Sequence, residues 1–220
     1  RGPVVNVNDG PSGIIDISGT PEEDQTLIAV TDTLDDEDGL GELSYQWQAG
    51  GSDITGATAK TLTLSQAEVD KEISVVVNYT DGEGKLETKA SASTAKVSNV
   101  NDAPQGGISI TGTASQGNEL VADTSSLQDE DGLGDLNYQW LRGGSEINGA
   151  TQSSYTLTQE DVGSQISLSV SYTDDQGTDE VVSFALSEAV EAQQIPPALD
   201  IELASTSGNI ATFEVYATDV

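Results

Sequence analysis

The sequence predicts an all-β chain of tandem β-sandwich domains, and three observations carry that prediction. A long block is written twice: Trp47 returns as Trp140, and the same shift of 93 positions takes Asn8-Asp9 to Asn101-Asp102 and Tyr79-Thr80-Asp81 to Tyr172-Thr173-Asp174. Within each copy apolar and polar residues alternate with the two-residue period of a half-buried strand, and no stretch has a convincing helical period. Clusters of Gly, Asp and Asn separate these alternating runs. A repeat of this length, about half identical between copies, is a domain in itself rather than a solenoid unit.

The strands follow in order. Residues 13–18 and 25–31 read as the first two. Leu43, Tyr45 and Trp47 alternate with Ser44, Gln46 and Gln48, which sends the tryptophan inward. Residues 61–64 form a short strand. Ile73, Val75, Val77 and Tyr79 then share one face of the next, matched by Ile166, Leu168, Val170 and Tyr172 in the second copy. Residues 86–97 complete the unit. Six or seven short antiparallel strands around one buried Trp make an immunoglobulin-like (Ig-like) sandwich. Cysteine is absent, so apolar residues such as Leu27 and Val77 fill the space a disulfide would occupy.

The expected layout is an N-terminal linker (1–11), a first Ig-like repeat (12–98), an Asn-Asp linker (99–104), a second repeat (105–191), a linker (192–198) and a partial third β module (199–220). The last reads as two strands around Ser207-Gly208-Asn209. Twenty-odd residues do not close a sandwich, so this reads as the start of a different module. The chain opens at Arg1 without Met or a signal peptide, which reads as a segment of a longer protein.

Composition narrows the function. The 220 residues include 38 acidic and 7 basic ones, a formal charge of −31, with no histidine and no cysteine. Such a surface repels nucleic-acid phosphates and anionic lipid, so neither DNA nor RNA is an expected partner. No apolar run approaches the length of a membrane span. Histidine-based catalysis, thiolate chemistry and zinc sites are excluded. What remains for metal is oxygen ligation of a hard cation.

Most of the acids read as a solvated face. Two constellations recur, however: 35–41 with 128–134, and 81–84 with 174–177. In an Ig-like order the first joins strands B and C and the second joins F and G. Both loops therefore sit at the end where the Asn-Asp linker arrives. They offer Asp36, Asp38 and Asp81 in the first copy, and Asp129, Asp131 and Asp174 in the second. The opposite end of the first unit carries Glu23, Asp24 and Asp70, beside Glu68. Two carboxylates about 4 Å apart repel by roughly 4 kcal/mol at an effective dielectric of 20. A Ca2+ ion, which accepts about 6–8 oxygens in flexible geometry, would turn that repulsion into binding. No EF-hand loop is present. Trp47 and Trp140, by their alternation, belong to the core rather than to a sugar-stacking platform. The single sequon at Asn78 is at the level of chance.

The linkers VNVNDGP and SNVNDAP, the loop DEDGLGxLxYQW, the run YTLTQEDVGSQISLSVSYTD and the turn INGAT resemble the tandem Ig-like (cadherin-like) repeats of large Gram-negative RTX-type adhesins. The resemblance spans residues 4–190. It implies an extender segment of a secreted, cell-surface protein exported by type I secretion. Ca2+ would stiffen its junctions, and it would project a distal domain onto a host or biofilm glycan or protein. The cadherin linker it resembles implies Asn101 and Asp102 as Ca2+ ligands, and Asn8 and Asp9 if another repeat precedes. The second unit departs from the pattern. It reads Ser115-Gln116-Gly117-Asn118 where the first has its acids, and Gln193-Gln194 replaces the Asn-Asp linker, which argues against calcium there. The alternative is a carbohydrate- or protein-binding Ig-like module, and more remotely a glycosidase with paired carboxylates. No enzymatic activity is expected.

Overall fold

The computed structural model describes residues 6–194, 198–207 and 210–218, and side chains up to Gln194. Residues 1–5 of the first linker, 195–197 of the last linker and 208–209 of the C-terminal turn lie outside the described residues. The chain divides into two compact units. The first runs to Ala103 and also takes in Glu130–Gly132; the second holds Pro104–Asp129 and continues from Leu133.

In the first unit β1 (Asp16–Ser18), β2 (Thr26–Val30) and β5 (Thr61–Thr63) form one antiparallel sheet in the order β1-β2-β5. The other sheet, β4-β3-β6-β7, is built from β3 (Ser44–Ala49), β4 (Ser52–Asp53), β6 (Ile73–Thr80) and β7 (Leu86–Ala90). The second unit repeats this with β8 (Ser109–Thr111), β9 (Glu119–Asp123) and β12 (Ser154–Thr156) facing β10 (Asn137–Arg142), β11 (Ser145–Glu146), β13 (Gln165–Thr173) and β14 (Asp179–Ala189). Each unit is an Ig-like sandwich. Beyond it, β15 (Ala198–Ser207) pairs antiparallel with β16 (Ile210–Thr218) as a hairpin.

The period-two pattern places the cores. Along β6, Ile73, Val75, Val77 and Tyr79 are buried while their neighbours face outward, and Trp47 pairs across to Val75. Leu27, Trp47 and Val77 are all fully buried, as are Leu120, Trp140 and Val170 in the second unit. Apolar packing thus stands where a disulfide would, at about 1.5–3 kcal/mol per fully buried aliphatic side chain. Each indole is also satisfied: Trp47 Nε1 donates to Ala59 O and Trp140 Nε1 to Gln152 O, both at 2.9 Å.

Four local features differ from the sequence reading. The first strand is confined to Asp16–Ser18, because the Thr33 hydroxyl takes both the N–H and the C=O of Ile14. The last strand ends at Ala90, because the hydroxyls of Ser91 and Thr94 accept the N–H groups of Val75 and Ile73 in place of a backbone ladder. In the second unit Phe184 and Ser187 hold those positions and β14 runs on to Ala189. A two-residue strand after β3 and a 3-10 turn (Gln66–Glu68, and Gln159–Asp161 in the second unit) were not foreseen. The first of these turns is closed by Ser65 and Glu68, a capping box whose Glu68 Oε2 accepts from Ser65 N and Oγ.

Candidate metal centre

The turn between β1 and β2 brings Glu23 to the strand that leaves the first unit. Glu23 N donates to Ser98 O at 2.9 Å, and its Oε2 accepts the N–H of Val100 at 3.1 Å. Two residues on, Asp102 donates its N–H to Asp131 Oδ2 at 2.7 Å. One carboxylate oxygen each from Glu23, Asp102 and Asp131 lies within 4.8 Å of the others. Glu23 and Asp131 are 3% and 2% exposed, so this charge sits away from water. Burial pushes the Glu23 carboxyl above its usual range; the Val100 N–H opposes that, and the charges of Asp102, Asp131 and Asp24 add to it.

Whether a hard cation suits this place is decided by the neighbouring acceptors. Gln66 Nε2 donates to Asp131 Oδ1 at 3.0 Å, and its own Oε1 is buried without a donor. Asn99 Oδ1, in the linker one residue before Val100, is likewise buried and unpartnered. Three carboxylates, with an orphaned amide oxygen on the Gln66 side chain that bonds Asp131, form an all-oxygen donor set, which suits Ca2+ better than a softer ion.

The other expected ligands fall in different roles. Asp24 and Asp70 flank this end with φ of 62° each, a left-handed conformation that the second unit gives to Gly117 and Gly163. Asn101 donates to Asp102 O at 3.3 Å. At the opposite end of the first unit, Asp38 accepts from Asn6 Nδ2 and from Asp9 N, the latter at 2.7 Å, the same distance as Asp102 N to Asp131. These bonds, Asn6 first, hold the Asp38 carboxyl below its usual range. Asn8 donates to Glu87 at 2.9 Å. Asp36 and Asp129 each accept a tyrosine hydroxyl at 2.6 Å, from Tyr79 and Tyr172. Asp81 and Asp174 cap their loops, and each uses only one oxygen to do so.

Where the second unit ends, Gln116 replaces Glu23. Its N–H still donates to the departing strand, at Glu191 O, and its Oε1 accepts Gln193 N at 3.4 Å. The bonding pattern is conserved and the charge is gone. Gln66, Asn99 and the tyrosine clamps were missed from sequence. The S-Q-A-E capping pattern pointed to the turn that carries Gln66, and Asn99 stands within the quoted linker.

Among the described residues no helix is long and apolar enough to cross a membrane. No family model matches the chain, and no curated protein does. Among solved structures it is similar to the three N-terminal domains of the bacteriophage RB49 highly immunogenic outer capsid protein (Hoc), at 17% identity over 93% of this chain and 70% of that one, with a TM-score of 0.32. It is also similar to the fibronectin(III)-like modules of Clostridium thermocellum CbhA, at 15% identity over 81% and 95%, with a TM-score of 0.27. Chicken CNTN1 FN1-FN3 domains align at 14% identity over 90% and 74%, with a TM-score of 0.32.

Proposed function

We propose that this chain is a structural spacer segment of a secreted bacterial surface adhesin, in which Ca2+ held by Glu23, Asp102 and Asp131 fixes the linker leaving the first unit. The observation that carries the reading is the convergence of these three carboxylates, from three separate segments, inside one compact unit. An ion there would tie the Glu23 turn, the Asp102 linker and the 130–132 segment together. Without it the same charges repel and that linkage loosens. Duplication of a whole sandwich fits a module valued for length, and the linker and loop motifs supply the adhesin context.

Amide hydrogen exchange on the full chain tests this. Val100 and Asp102 should be more protected in Ca2+ than in chelator, with half-saturation near 10⁻⁴–10⁻³ M as in extracellular modules. Asp131→Asn should remove the difference. Equal exchange in both conditions would dismiss the calcium reading.

A further inference from the structure

A cleft of about 310 Å3 opens in the second unit, between the turn that follows β11 and the edge strand β12. Its size is at the lower end of the range for small-molecule sites. Trp140 fixes the turn side. Ile147 N donates to Trp140 O at 2.9 Å, Trp140 N to Ala150 O at 3.0 Å, and the indole Nε1 to Gln152 O at 2.9 Å. Tyr155, on the strand side, is held at both ends: its ring centroid lies 5.9 Å from that of Trp140, and its hydroxyl donates to Asp161 Oδ2 at 2.9 Å. A ring clamped in this way has little rotamer freedom left to lose when a ligand packs against it.

The first unit builds the same walls. Ile54 N donates to Trp47 O at 2.9 Å, Trp47 N to Ala57 O at 3.0 Å, and Trp47 Nε1 to Ala59 O at 2.9 Å. The backbone is shared and the lining is not. Thr55 in the first repeat is Asn148 in the second, Ala59 is Gln152 and Leu62 is Tyr155. Three lining positions thus acquire two amides and a phenol ring, beside the hydroxyls of Ser154 and Thr156. Asn148 and Gln152 are exposed, so their amide groups face solvent. The chain has 38 acidic residues, yet no lining residue of this cleft is charged.

We propose that this cleft binds the terminal neutral hexose of a glycan, with Asn148 and Gln152 holding its hydroxyls and Tyr155 its ring. An amide side chain donates and accepts at once, as neighbouring sugar hydroxyls do. A fixed aromatic side chain offers an apolar body to the C–H side of a pyranose and keeps its polar tip bonded. The surrounding charge of −31 disfavours an acidic sugar. The second repeat thereby adds recognition to a scaffold that the first uses without it. The site shares no residue with the Glu23 triad, so its failure leaves the spacer reading intact.

Saturation-transfer difference NMR on the full chain tests this, with glucose, galactose and mannose as probes and N-acetylneuraminic acid as the anionic control. At least one neutral hexose should receive saturation, and the anionic sugar should not. The double variant Asn148→Thr/Gln152→Ala installs the residues that the first repeat carries on the same walls, so it should fold, and circular dichroism checks this. It should weaken binding by about tenfold or more, the effect of losing two neutral hydrogen bonds. Amide shifts during the titration should fall on residues 147–156. The proposal is overturned if no neutral hexose receives saturation, if the anionic sugar is preferred, or if the folded double variant binds as well as the wild type.

Discussion

Glu23→Gln is a substitution that the chain already carries at Gln116, which shows that an amide there can hold the departing strand. The variant should keep the Val100 bond and lose one charge of the triad. At separations up to 4.8 Å, each carboxylate pair costs about 3.5 kcal/mol at an effective dielectric of 20. Protonation of Glu23 relieves part of this, so without metal the variant should gain about 1–2 kcal/mol, or roughly 4–10 °C for a domain of this size. The sign with pH follows from the raised carboxyl. Stability linked to Glu23 is fully present below the ordinary carboxylate pKa and is lost as pH rises through its higher folded value. In chelator, the wild type should therefore recover stability on mild acidification, and Glu23→Gln should lack that component. Calcium closes most or all of that gap. At about 100 times Kd the wild type gains roughly 2.7 kcal/mol, whereas a site weakened tenfold gains about 1.4. Thermal scans followed by circular dichroism, in chelator and in Ca2+, should show the variant's lead shrinking by about 1.3 kcal/mol when Ca2+ is added. A variant less stable than wild type in chelator, or one with an undiminished Ca2+ response, would refute the reasoning.

Two further outcomes follow from the cores and the charges. Trp47→Ala and Trp140→Ala should each cost their own unit about 3–5 kcal/mol by denaturant titration, and a smaller loss at either position would show that its indole is not a core element. Arg142→Ala should cost the second unit about 3–5 kcal/mol at neutral pH, because it strips a partner from fully buried Asp161. Burial acts to raise the Asp161 carboxyl, but the Thr158 N–H, Arg142 and the hydroxyls of Thr158 and Tyr155 outweigh it and hold it below its usual range. Its stabilisation is thus present above the ordinary carboxylate pKa and lost as pH falls through the folded value, so the Arg142→Ala deficit should shrink in acid; a deficit independent of pH would contradict this.

The sandwich was legible because its strands are amphipathic at period two, as at Ile73, Val75, Val77 and Tyr79, and because the repeat doubled every signal. Glu23, Asp102 and Asp131 were legible as candidates, since each stands in an acidic turn, an acidic loop or the Asn-Asp linker. Which candidates converge was not legible. Spacing alone does not distinguish Asp131, which falls in the first unit, from Asp129, which falls in the second and is taken by Tyr172. Strand ends were hidden for a similar reason. Ser91 and Thr94 look like ordinary strand residues until their hydroxyls capture the ladder amides.

Asp24 and Asp70 give the first unit an internal trade-off. Each holds a left-handed backbone that disfavours a side chain by about 1–2 kcal/mol, and the second unit occupies both positions with glycine. The sister repeat thus displays a more relaxed sequence for the same turns. Adopting it would also remove negative charge next to Glu23, since Asp24 contributes to raising that carboxyl. Under the proposed calcium reading, Asp24 both strains its turn and adds to the charge that an ion at Glu23 would meet. Copying the second repeat's glycine at position 24 would relax that turn and at the same time thin out the charge that the proposed ion would neutralise.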